Sequence, residues 1–331
     1  MRCLLKLKII CLTLKIKNIF LLKNPVIAFL KLIRIENLLI IALTQCCIQY
    51  FVLKDFVEYT KFTPFLFFIS ILSTTLIAAA GYIINDYFDV KTDKINRPET
   101  VVLDVTIKRR MAMLLHIVFN AIGLILGLYL ALKCHNLKLV TFQLLSIILL
   151  WFYSTHFKKQ LLVGNLVVST LTATIPLLPL VYDFYFTPEI NPFIIEYIKT
   201  IMKSLVYVVV GYSLFAFLTS FAREVIKDME DYKGDVQTGC KTMPIVWGMV
   251  TSKVVTFFVV SITIGFLLLA CLHFFKKQDF LPLYYIVGLI ILPLIIIVLL
   301  TVTAKTTKDF KMASLLLKFV MLFGIAFTYF I

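Results

Sequence analysis

Nine apolar stretches, each long enough or nearly long enough to cross a bilayer, divide this 331-residue chain. They lie at 37–53, 65–85, 111–132, 139–155, 162–182, 204–222, 250–272, 281–303 and 313–331. Soluble domains are roughly half apolar and about a quarter charged. Here hydrophobic residues make up 61% and charged ones 15%, which excludes an ordinary soluble core. Period-two alternation in ten-residue blocks is absent, so the segments read as helices rather than barrel strands. The expected fold is all-α: a polytopic membrane protein with nine transmembrane helices. Pro176 and Pro179 are expected to kink the fifth span, and Pro293 the eighth.

The net charge is +15. The basic residues sit between apolar segments rather than along one face, so anionic lipid headgroups explain them and nucleic acid does not. With a cytoplasmic N-terminus, the inner segments and their flanking turns hold 25 of the 33 Lys and Arg, and the four outer loops two each. That bias predicts a multi-pass protein of the cell (cytoplasmic) membrane with its N-terminus inside. Residues 1–25 intersperse Lys with apolar residues and lack a long h-region, so they read as a basic interfacial extension, not a cleaved signal peptide. Residues 26–331 form the membrane domain. The seven cysteines show no C-x-x-C and read as small buried hydrophobes.

Two acidic triplets stand out against this background. "NDYFDVKTDKINRP" places Asp86, Asp89 and Asp93 after the second span; "DMEDYKGD" places Asp228, Asp231 and Asp235 after the sixth. Offsets of 0, 3 and 7 put each triplet on one helical stripe. Four spans separate them, so both face the same side. Six facing carboxylates repel and raise one another's pKa. Bare Asp oxygens without His or Cys suit a hard divalent ion, Mg2+, which binds few carboxylates plus substrate phosphates. Lys91, Lys94, Arg97, Lys158, Lys159, Arg223, Lys227, Lys233 and Lys241 are predicted on the same side, as partners for phosphate oxygens. Together these describe a diphosphate–Mg2+ site backed by apolar, Phe-rich helices. An allylic isoprenoid diphosphate meets both demands, since aromatic faces and exclusion of water favour its carbocation.

Other readings compete. One acidic cluster at a helix end is ordinarily a solvated cap; two with identical spacing, side and flanking cations are not. Neither triplet has the EF-hand run with its closing Glu. Ion-coupled carriers also use membrane carboxylates, but within their spans. A carrier of an anionic amphiphile would release no pyrophosphate. A scaffold has no use for every Asp, Asn and Arg of the two motifs.

At these residues the sequence resembles the UbiA superfamily of intramembrane prenyltransferases, whose first motif is N-D-x-x-D-x-x-x-D and whose second has the core D-x-x-x-D. The resemblance runs from residue 26 onward and implies nine helices around a central cavity capped by two Asp-rich loops. It assigns Asn85, Asp86, Asp89 and Asp93 to one side of the Mg2+–diphosphate, and Asp231 and Asp235 to the other, with Asp228 upstream. "LIRIENLL" resembles the family's first-helix entry, where Arg34 and Asn37 face the cavity. "YSTHFKKQLLVGN" resembles the loop supplying Tyr153 and Lys158 or Lys159. Lys94, Arg97, Arg223, Lys227 and Lys241 are phosphate-binding candidates by chemistry. His116, His135, His156 and His273 form no ligand set. "REVIKDMEDYKGDVQTGCKTMPIVWG" looks most like the ether-lipid branch, the digeranylgeranylglyceryl phosphate synthases. That implies a polyprenyl (geranylgeranyl) diphosphate donor and a lipophilic acceptor, geranylgeranylglycerol phosphate. Aromatic acceptors belong to other branches that share both motifs.

Overall fold

The computed structural model describes residues 24–54, 60–186 and 192–331. Nearly all of the interfacial extension expected over 1–25 lies outside the described residues. Eight described helices are long and apolar enough to cross a membrane: Ile35–Val52, Pro64–Asn96, Arg109–Lys133, Leu137–Thr155, Met202–Glu230, Met249–Lys276, Phe280–Thr303 and Thr307–Phe330. A bent pair, Val163–Thr174 and Leu177–Phe186, supplies a ninth crossing as span five, its halves inclined by 46°. Pro176 stands in that break, where it has no N–H to donate to the preceding turn. Pro293 acts differently: a π-helical turn, Ile286–Ile291, precedes it, and a regular helix resumes at Leu292. The chain is thus a multi-pass, helical membrane protein.

Spans two and six organise the bundle. Span two packs along spans three and four, and span six against spans five, seven and nine. Span one touches both two and nine, and four touches five, so one, two, four, five, six and nine close a ring. Phe215, Ile226, Val260, Leu294 and Leu317 belong to one apolar cluster that unites spans six to nine. Away from the acidic motifs, Gln49 Nε2 donates to Asp183 Oδ2 at 2.9 Å and ties span one to span five.

Hydropathy places the ends of spans two and six at 85 and 222, but their helices run on to Asn96 and Glu230. Hydropathy reports where lipid ends, whereas a helix continues while its i→i−4 ladder is satisfied. At about 1.5 Å per residue, span two's extension projects some 15 Å beyond its apolar part. The first acidic motif sits on its extension, and the second begins on its own at Asp228 and runs past its end.

Candidate functional site

The first motif is helical throughout, which corrects the expectation of an Asp-rich loop: Asn85, Asp86, Asp89 and Asp93 all lie within Pro64–Asn96. Asn85 and Asp89 are buried. Two cations from elsewhere meet this stripe. Arg34 sits between the short helix Pro25–Leu32 and span one in the left-handed region, φ 51°. A non-glycine residue pays for that conformation, and such strain clusters at functional sites. Arg34 stands 5.0 Å from the Tyr82 ring centroid, and its Nη2 donates to Asp86 Oδ1 at 2.7 Å. Asn37 lies within reach of Tyr82.

The second cation is Lys158, in the turn Phe157–Lys159. It pairs with Asp89, and its Nζ also lies 3.5 Å from Asn85 Oδ1. Burial alone lowers an ammonium's pKa, but Asp89 first, then Tyr153 and Asp93, hold that of Lys158 well above its usual value. The turn is fixed by the start of span five. A Cβ on Gly164 would stand 2.9 Å from Lys158 Cα and 3.0 Å from the Phe157 carbonyl oxygen, a gap only glycine accepts. Lys159 points into solvent, and its carbonyl accepts the Lys241 N–H at 2.8 Å. Of the two lysines left open by the sequence, the fold brings Lys158 to the carboxylates.

The second motif does not form one helical stripe, contrary to the expectation from its spacing. Span six ends at Glu230, Asp231 is the break, and Asp235 lies on the short helix Tyr232–Gln237. Asp228 stays on span six, where Asn165 Nδ2 donates to its Oδ2 at 2.8 Å. The break is set by contacts from the other half of the chain. Asn96 Nδ2 donates to the Asp231 carbonyl at 3.1 Å, and Asn96 Oδ1 accepts the Gly234 N–H at 2.8 Å. Arg97 Nη2 contacts both Asp231 carboxylate oxygens, at 2.6 and 2.9 Å, and reaches Glu230 at 3.3 Å. The "NR" that follows the first motif therefore docks the second.

Asp235 is buried and lies within electrostatic reach of Asp231 and Asp89, across the two motifs. Burial, opposed by Lys158 and reinforced by those carboxylates, pushes its pKa up to about 6. Among the described residues, no three His, Cys, Asp or Glu side chains converge tightly enough to hold a metal ion. Asp86, Asp89 and Asp231 are instead drawn to Arg34, Lys158 and Arg97. The donor set still fits a hard cation: its ligands are all oxygens, and Asp93 and Asp235 make no ion pair among the described residues.

Below this layer, Arg223 and Lys227 both engage Glu224, at 3.5 and 2.8 Å. Tyr153 lies within reach of Lys158 and Glu224. Lys94 and Lys241 point into solvent and join no ion pair among the described residues. The sequence reading missed Asn96, Asn165, Tyr82 and Glu224. Asn96, inside the N-R-P tail, carried a signal; Asn165 and Tyr82 are single polar residues whose partners are remote in sequence, and Glu224 pairs with Arg223 and Lys227 on its own helix. His116 is buried against the Ala80 carbonyl at 2.9 Å, outside the site.

A family model described as the UbiA prenyltransferase family matches residues 56–324. The digeranylgeranylglyceryl phosphate synthase of Sulfolobus acidocaldarius is 30% identical over 283 residues, covering 85% of this chain and 90% of that protein. The synthase of the same name from Thermococcus sibiricus is 35% identical over 190 residues, 57% of this chain and 59% of its own length. A solved structure of a digeranylgeranylglyceryl phosphate synthase superposes with TM-score 0.58 at 21% identity, over 93% of this chain and 99% of that one. A UbiA homologue from Archaeoglobus fulgidus, solved with GPP and Mg2+, gives 0.55 at 16% identity, over 92% and 100%.

Proposed function

The chain belongs to the UbiA prenyltransferase family, and from that premise we propose that it transfers a geranylgeranyl group from its diphosphate to the hydroxyl of geranylgeranylglycerol phosphate. The observation that carries this reading is the docking of the second Asp motif on the first through Asn96 and Arg97, which faces carboxylates and cations across one mouth. The names of the relatives support the acceptor.

Asn85, Asp86, Asp89 and Asp93 from one half, and Asp231 and Asp235 with Asp228 from the other, would hold Mg2+ with the donor diphosphate. Bound there, the ion neutralises charge on the leaving group. Lys158, Arg97 and Arg34, paired with carboxylates now, are placed to exchange them for diphosphate oxygens. The donor's C1–O bond then breaks, and its electron pair leaves with the diphosphate. Positive charge spreads over the allylic carbons, whose chain lies among apolar side chains that exclude water. The acceptor's hydroxyl oxygen forms the new C–O bond at C1, and its proton passes to a diphosphate oxygen or a carboxylate at the mouth. The motif-bearing face is cytoplasmic and the membrane is the cell membrane, in line with the Lys and Arg bias.

The test is pyrophosphate release by purified protein in lipid, with Mg2+, geranylgeranyl diphosphate and a panel of acceptors. Release is expected with geranylgeranylglycerol phosphate, lost in EDTA and lost in Asp86→Asn and Asp231→Asn proteins that remain folded. Release with 4-hydroxybenzoate or 1,4-dihydroxy-2-naphthoate instead would discard the acceptor. Full activity in both variants would discard the metal-binding role.

A further inference from the structure

Deeper than the carboxylates lies a second charged layer. Arg223 and Lys227 stand eight and four residues before Asp231, about 12 and 6 Å further down the helix. They share one carboxylate, Glu224, on the same span. Arg223 Nε is buried without a hydrogen-bond partner. All three side chains are partly open, with 21%, 23% and 13% of the Arg223, Lys227 and Glu224 side chains exposed. Arg34 lies within electrostatic reach of Lys227, and Tyr82 within reach of both Arg34 and Arg223. Two cations on one anion leave a positive charge inside a membrane bundle, which is costly unless another anion completes it. Arg223 lies five residues, about 7 Å along the helix, below Asp228, the lowest carboxylate of the second motif, and about 12 Å below Asp231.

We propose that Arg223 and Lys227 bind a phosphomonoester, the phosphate of the acceptor, in a subsite separate from the donor's diphosphate site. This rests on the acceptor reading above. A glycerol phosphate carries its phosphate and its free hydroxyl on one three-carbon unit. Anchoring the phosphate at this depth holds the hydroxyl beside the donor carbon, which hangs below the Asp layer. Glu224 holds the two cations in place and competes with the phosphate for them.

Initial rates in reconstituted protein test this, with geranylgeranylglycerol phosphate and its phosphate-free counterpart as acceptors. Arg223→Gln and Lys227→Gln are expected to raise KM for the phosphorylated acceptor roughly 10- to 100-fold. Donor KM and turnover of the phosphate-free acceptor should stay within about threefold, and Arg223→Lys should recover part of the loss. Glu224→Gln should lower the phosphorylated acceptor's KM, an improvement that misfolding cannot imitate. A matching rise in donor KM, an unchanged acceptor KM, or equal loss with both acceptors overturns the subsite. Wild-type protein that ignores the phosphorylated acceptor overturns the acceptor reading itself, and the subsite with it, without reference to any variant.

Discussion

Gly234 is the position where adding one methyl group should uncouple the two halves of the site. A Cβ built there would stand 2.4 Å from Asn96 Nδ2 and 2.7 Å from both Asn96 Cγ and Oδ1. Asn96 must therefore move in Gly234→Ala, and moving it breaks both hydrogen bonds that dock the second motif. Each such bond contributes about 0.5–1.5 kcal/mol. Forcing the overlap instead costs about 1–3 kcal/mol, so either route gives a penalty of about 1–3 kcal/mol. Expressed in the docked population, that is roughly a 5- to 150-fold loss in kcat/KM for pyrophosphate release. Asn96→Ala should cost a similar amount, since the same two bonds go. The double variant decides the matter. With Asn96 truncated the added methyl meets no obstacle, and Ala is favoured over Gly within a helix by about 1 kcal/mol. Gly234→Ala should then be neutral or mildly favourable in the Asn96→Ala background, a coupling of about 1–3 kcal/mol between the sites. Additive losses, or a Gly234→Ala protein with wild-type kinetics, would refute the docking role of Asn96.

Lys158→Met leaves Asp89 buried without its cation. Tm in EDTA should fall, by an amount corresponding to about 2 kcal/mol since Lys158 is partly exposed, and Mg2+ should restore part of it; no response to Mg2+ would refute a metal near Asp89. Asn165→Leu removes the donor to Asp228. It should lower pyrophosphate release about tenfold or less, if Asp228 is an outlying ligand; complete loss would place Asp228 at the centre of the metal site. Gly123→Val drives a side chain into Ile77 Cγ1, which already stands 2.7 Å from a Cβ at this position, with the Ser73 carbonyl 3.2 Å away. Thermal unfolding should show a loss of about 1–3 kcal/mol, with unchanged KM values in the folded fraction, because spans two and three meet there away from the motifs.

The helical crossings and the emergence of both motifs at one end of the bundle were legible in the sequence. Each follows from a simple property: an apolar window long enough for lipid, and an even number of spans between the motifs. The outcome at Asp231 was not. The 0, 3, 7 spacing repeats faithfully, yet only the first triplet forms a stripe, because Asn96 and Arg97 take hold of Asp231 and Gly234 from across the bundle. Likewise, two adjacent lysines are alike in sequence, and the close approach of Gly164 decides that Lys158 turns inward. Sequence periodicity reports hydrogen bonding and burial within one helix. It carries no record of which polar groups, 52 to 138 positions apart, become neighbours once the ring of spans closes. Those pairings were fixed by the packing of the helices.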